Sequence, residues 1–148
     1  MGTAMAEKRI FFEDVNEGQE IPEYKIVHIT RTMIVKYAGA SGDFNPIHHD
    51  ELYAIRAGND RVFAMGMFTA GIVSTMITNW VGVGNLRGYK TRFMQRLWPG
   101  DDVLCKGKLT RKFQEGGENC IEAEVTAMNQ RGEILIRGTF TAALPGRL

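Results

Sequence analysis

From Met65 to Val83 the chain carries no charged side chain, and this one stretch limits the available folds more than any other feature. Met67, Ile72, Val73, Met76, Ile77 and Trp80 cover most of the circumference of a helix running from about Gly66 to Val81, and the positions between them are small or hydroxyl-bearing. A helix that is apolar on most sides is stable only when other elements wrap it. Thr69, Ser74, Thr75, Thr78, Asn79 and three glycines interrupt the stretch, so it reads as a buried core helix and not as a membrane span.

The wrapping comes from the chain beyond Asn85. The spacing predicts strands at about Leu86 to Leu97, Val103 to Phe113, Asn119 to Met128 and Ile134 to Leu144. Trp98-Pro99-Gly100-Asp101, Gln114-Glu115-Gly116-Gly117 and Asn129-Gln130-Arg131-Gly132 separate them with turn chemistry suited to antiparallel connections. Ile121, Ala123, Val125 and Ala127 alternate with Glu122, Glu124 and Thr126, which gives one buried and one polar face. These elements make an α+β fold, an antiparallel sheet curled around a central apolar helix. Such a sheet leaves open edge strands, so pairing with a second copy as a homodimer or higher homo-oligomer is expected.

The first half is shorter in its elements. Glu23 to Ile29 reads as a strand or extended lead-in, and Thr30 or Thr32 can cap a helix through Met33, Ile34, Val35, Tyr37 and Ala38 that Gly42 ends. Asp50 can cap a second short helix through Ile55, ending near Gly58, and Arg61 to Ala64 is a short strand candidate. With 148 residues and 44% hydrophobic composition, residues 10–148 are expected to form one domain. Residues 1–9 are set aside as a flexible tail or an expression scar.

A net charge of +1 creates no whole-protein field for nucleic acid or an anionic membrane, so any phosphate binding must be local. Cys105 and Cys120, the only cysteines, are too few for a disulfide framework or a CxxC motif, and a reduced, cytoplasmic setting is favoured. Cys105 shares an alternating face with Val103 and Leu109, where a small buried thiol is expected.

Gly42-Asp43-Phe44-Asn45-Pro46-Ile47-His48-His49-Asp50 cannot be helical throughout, because Pro46 lacks a donor and pushes Asn45 toward extended geometry. It is an ordered loop rich in titratable groups. A carboxylate near ~3.9 and an imidazole near ~6.5 can share acid and base work on one water, which makes Asp43 and His48 candidates. On the residues alone, Asp43 as a helix cap and His48 as a packed core residue fit equally well. A metal site is disfavoured, since neighbours in an extended loop point apart and no second ligand cluster exists. A calcium loop fails at Ile47 and His48, a nucleophile elbow at the glycine spacing, and a dinucleotide fingerprint at Arg87. Lys90, Arg92 and Arg96 alternate along one predicted strand and so share a face, either as anion-binding residues at a pocket mouth or as a solvated surface.

Tyr37-Ala38-Gly39-Ala40-Ser41-Gly42-Asp43-Phe44-Asn45-Pro46-Ile47-His48 resembles the hydratase motif of the MaoC-like dehydratases and (R)-specific enoyl-CoA hydratases, hot-dog-fold proteins that include acyl-carrier-protein relatives. Ala64-Met65-Gly66-Met67, Arg92-Phe93 and Trp98-Pro99-Gly100-Asp101-Asp102 extend the likeness, which spans about residues 10 to 144. The resemblance implies Asp43 and His48 as the catalytic pair, Asn45 in an orienting role, and the Gly66 N–H as the donor to a thioester carbonyl. It implies no cofactor, a CoA or acyl-carrier-protein thioester substrate, and interconversion of (3R)-hydroxyacyl and trans-2-enoyl forms. The chain departs from the pattern at Met65, where relatives often carry His or Ser; Met65 and Met67 can line an apolar acyl slot or be plain core. Hot-dog proteins also include acyl-CoA thioesterases, and non-catalytic subunits that pair with a different hot-dog chain as a heterodimer. Release of thiol from a saturated acyl-CoA, or turnover only with a partner, would mark those alternatives.

Overall fold

The computed structural model describes residues 9–147; the tail expected at 1–9 lies, apart from Arg9, outside them. The helices are α1 (Arg31–Ser41), α2 (Glu51–Arg56) and α3 (Gly66–Val81), and the strands are β1 (Glu20–Ile26), β2 (Leu86–Phe93), β3 (Val103–Glu115), β4 (Glu118–Met128) and β5 (Ile134–Leu144). The strands form one antiparallel sheet in the order β1-β3-β4-β5-β2. Its inner face packs on α3, which touches every strand. No helix among the described residues is long and apolar enough to cross a membrane.

The core follows from the alternation. Ile121, Ala123, Val125 and Ala127 of β4 point inward and are buried, as are Val103, Cys105 and Leu109 of β3. Burial pushes the Cys105 thiol up to about 12, far from the thiolate form that reactivity needs. Val73, Met76 and Ile77 of α3 complete the contact, and the Tyr89 hydroxyl of β2 donates to Ala70 O at 3.0 Å, tying the helix to the edge strand.

Two segments depart from the expected pattern. Residues 61–65 form no strand, although Ala64 N–H donates to Leu97 O at 2.9 Å. The strand expected to continue to Leu97 ends at Phe93, after which Met94 N–H donates to Leu135 O and the chain turns away from regular pairing. The sheet therefore leaves residues 94–97 free to border a cavity.

Asp101 holds this end of the sheet together. Its side chain, 4% exposed, accepts from Arg131 Nη1 at 2.9 Å and Nη2 at 3.2 Å, from Gln130 Nε2 at 2.9 Å and from Trp98 N at 3.3 Å. Its backbone carbonyl accepts from Ile29 N at 2.8 Å, one residue before the cap of α1. Burial alone would raise the carboxyl pKa, but the bonds from Arg131, Gln130 and Trp98 and the Arg131 charge outweigh it, and the group sits below its ordinary value. A depressed folded-state pKa adds stability that is complete above the unfolded value of about 3.9 and is lost as pH falls through the folded value. Urea unfolding midpoints measured from roughly pH 6 to roughly pH 3 should fall less steeply for Asp101→Asn than for the native chain; parallel curves would remove Asp101 from this role.

Candidate active site

Helix α1 delivers the first candidate. Thr30 Oγ1 accepts from Met33 N at 3.2 Å at its start, and Gly42, with φ 75, ends it in the left-handed conformation that glycine adopts without a Cβ penalty. Ser41 Oγ donates to Tyr37 O at 2.8 Å and accepts from Asp43 N at 3.2 Å, so the chain leaves the helix in a fixed direction. Asp43 Oδ1 then accepts from Asn45 N at 3.3 Å, and Asn45 Oδ1 accepts from Ile47 N at 3.2 Å, capping a 3₁₀ turn over Pro46–His48. Two successive side-chain turns and a proline leave this loop little conformational freedom.

His48, at the end of that turn, is 8% exposed. Its Nδ1 lies 2.7 Å from the Phe63 carbonyl oxygen and its ring meets the Phe63 ring edge-on at 5.1 Å. A carbonyl only accepts, so Nδ1 carries the hydrogen, and in the neutral ring Nε2 is left as a bare acceptor. That nitrogen faces Asp43 Oδ2 at 3.9 Å. The two roles open to this pair in the sequence are thus divided between the two oxygens of Asp43: Oδ1 belongs to the turn and Oδ2 faces the imidazole.

The other candidate is the start of α3, whose cavity is lined by neither Asp43 nor His48. The first backbone N–H groups of a helix have no partner within it and sit at the positive end of its dipole. Gly66 opens onto a cavity of about 430 Å³ bordered also by Phe63, Thr69, Phe93, Arg96 and Leu97. A Cβ at Gly66 would lie 3.1 Å from the Phe93 ring, so a larger residue would have to displace that ring. Phe63 links the two, since its carbonyl holds His48 and the residue borders the cavity.

The remaining candidates are dispersed. Asn45 acts through its cap and its backbone N–H, with its side-chain oxygen turned to Ile47. Met65 is buried in the core while Met67 is exposed, so the two do not form one slot. Lys90, Arg92 and Arg96 do not share a face: β2 ends at Phe93, and Arg96 stands at the edge of the cavity beside Gly66. Lys90 and Arg92 instead border a depression with Glu124, Thr126, Arg137 and Thr139, and Arg92 stands directly across from Arg137. Among the described residues, no group of three or more His, Cys, Asp or Glu could hold a metal ion. The roles of Phe63 and Phe93 leave no mark in the sequence, because the first is a contact between distant segments and the second depends on where β2 stops.

A family model described as a MaoC like domain matches residues 14–131. The chain belongs to the MaoC-like family. This MaoC-like chain is 30% identical over 144 residues to an (R)-specific enoyl-CoA hydratase of Rhodospirillum rubrum, the match covering 93% of each. It is 34% identical over 117 residues to a 3-oxo-4,17-pregnadiene-20-carboxyl-CoA hydratase beta subunit of Mycobacterium tuberculosis, covering 78% of this chain and 87% of that one. Among solved structures it is similar to an R-hydratase of Pseudomonas aeruginosa in its unliganded form, with a TM-score of 0.83 and 26% identity over 94% of this chain and 88% of the other. The sheet wrapped around α3 is the hot-dog fold that the motif implied.

Proposed function

We propose that the protein is a hydratase/dehydratase that interconverts (3R)-hydroxyacyl and trans-2-enoyl thioesters, with Asp43 and His48 as its acid/base pair. The observation that carries this reading is the 3.9 Å separation of His48 Nε2 and Asp43 Oδ2, too long for a direct hydrogen bond and short enough for both to reach one water molecule. In hydration, Nε2 takes one proton from that water while Asp43 Oδ2 orients it by accepting a hydrogen bond from the O–H that it keeps. The water oxygen bonds to the β-carbon, and the π electrons move onto the thioester oxygen. The Gly66 N–H meets that developing charge with a fixed donor at the positive end of α3, where losing one such donor typically costs about 3 kcal/mol of transition-state stabilisation. The proton on Nε2 then passes to the α-carbon as the carbonyl re-forms, which completes addition of water on one face with no cofactor consumed. The similarity to enzymes named as (R)-specific and R-hydratases supports the stereochemical assignment.

Purified protein should bleach the enoyl-thioester absorbance of crotonyl-CoA or a longer trans-2-enoyl-CoA and give the (3R)-hydroxyacyl product. Unchanged absorbance across acyl lengths and carriers would overturn the reading. A second reading is favoured by the relative named as a beta subunit: the chain works beside a different hot-dog chain. Turnover that appears only when such a partner is added would establish it, and turnover by the purified chain alone would exclude it.

A further inference from the structure

The cavity at Gly66 is lined by apolar or uncharged side chains with one exception, Arg96. Its guanidinium stands 5.0 Å from the centre of the Phe63 ring, a cation–π contact that holds the group at the cavity edge. Phe63 is also the residue whose carbonyl orients His48, so Arg96 sits against the same structural unit as the candidate acid/base pair. Arg131, in the turn between β4 and β5, is neutralised by Asp101 and Glu133, whereas no ion pair to Arg96 occurs among the described residues. A planar fork of donors without a carboxylate partner, at the rim of an otherwise uncharged cavity, is suited to receive one from a ligand.

Two anionic groups of an acyl thioester could reach it, and size separates them. In an extended pantetheine arm about a dozen bonds lie between sulfur and phosphate, roughly 15 Å at ordinary bond lengths. The half-open cavity of about 430 Å³ is roughly 9 Å across and lies at the small end of ligand sites. Arg96 borders the same small space as the Gly66 amide, so an anion that meets it lies only a few carbons from the thioester. In an extended six-carbon chain the two terminal carbons are roughly 6 Å apart, which fits.

We propose that Arg96 is a specificity residue that receives a carboxylate at the far end of a short acyl chain, making monothioesters of short unsaturated dicarboxylic acids the preferred substrates. This rests on the hydratase reading of the Gly66 cavity and names its substrate class.

The test compares trans-2-hexenedioyl-CoA with trans-2-hexenoyl-CoA on the native protein, Arg96→Met and Arg96→Lys. Turnover of the uncharged thioester by the native protein tests the hydratase reading by itself. For Arg96, the native kcat/KM should favour the carboxylated substrate by about tenfold, the lower end for a charge-assisted bond at an exposed site. Arg96→Met should lower kcat/KM for the carboxylated thioester about tenfold more than for hexenoyl-CoA, abolishing the preference, and Arg96→Lys should keep part of it. Titration calorimetry with adipoyl-CoA and hexanoyl-CoA gives a readout that needs no turnover and should show the same preference and the same loss. No native preference in either measurement overturns the proposal. So does an Arg96→Met variant that weakens both thioesters equally, the pattern expected if the guanidinium instead met a phosphate common to both.

Discussion

Asp43→Asn is expected to slow enoyl-thioester hydration by roughly a thousandfold while leaving the fold intact, within the span usual for a positioned acid or base. The substitution keeps the side-chain oxygen that accepts from Asn45 N, so the turn that sets the loop survives. What it loses is the negative charge opposite His48 Nε2. Changing His48 to Ala should cost at least as much activity, but it also leaves the Phe63 carbonyl without its donor and empties a buried site, so a fall in melting temperature should accompany it. Steady-state rates and melting curves measured on both variants separate the two effects. Asp43→Asn at native melting temperature and within threefold of the native rate would end the acid/base proposal.

The largest expected effect on stability lies far from those side chains, in Gly138→Ala. A Cβ there would stand 2.3 Å from the backbone oxygen of Lys90 and 3.3 Å from Thr91 Cγ2. Backbone in a paired strand cannot step aside as the end of a side chain can, so β2 must shift away from β5 along the Lys90–Thr139 and Thr91–Gly138 pairs. A loss of about 3 kcal/mol is expected, with the melting temperature lowered by roughly 10 °C for a chain of this length. Activity should fall too, since β2 carries both Tyr89, bonded to α3, and Phe93, packed at Gly66. Gly107→Ala is the control: its Cβ would be 2.7 Å from Ile21 Cδ1, a side-chain tip that can rotate, with the Glu124 carbonyl oxygen at 3.2 Å. Thermal melts in which Gly138→Ala is no less stable than Gly107→Ala would refute the backbone argument.

Much of this molecule is legible in its sequence where the signal is local. Helix α3 is bounded as expected because Gly66 opens the apolar stretch and Gly82 closes it, and β4 because its alternation runs from Ile121 to its end. Asp43 and His48 lie in one loop, so Pro46 and the Asx turns bring their backbone positions close. Contacts between distant segments leave no such trace. Phe63 reads as strand from its neighbours, yet its carbonyl is taken by an imidazole fifteen positions away. The alternation of Lys90, Arg92 and Arg96 continues past the point where β2 ends, and composition does not change there, so only the structure shows Arg96 at the cavity edge. Met65 and Met67 part company for a similar reason: a helix apolar all round gives no phase from which to tell its buried face from its exposed one.

The hydrogen-bond partner of the buried imidazole nitrogen is main chain, not a side chain. Every amino acid brings the same carbonyl to position 63, so exchanging Phe63 for a smaller or larger residue resizes the chamber and leaves the histidine's tether chemically unchanged. A substitution at this one position therefore changes the chamber and removes the ring packed edge-on against the imidazole, while the hydrogen bond that fixes which nitrogen carries the proton persists.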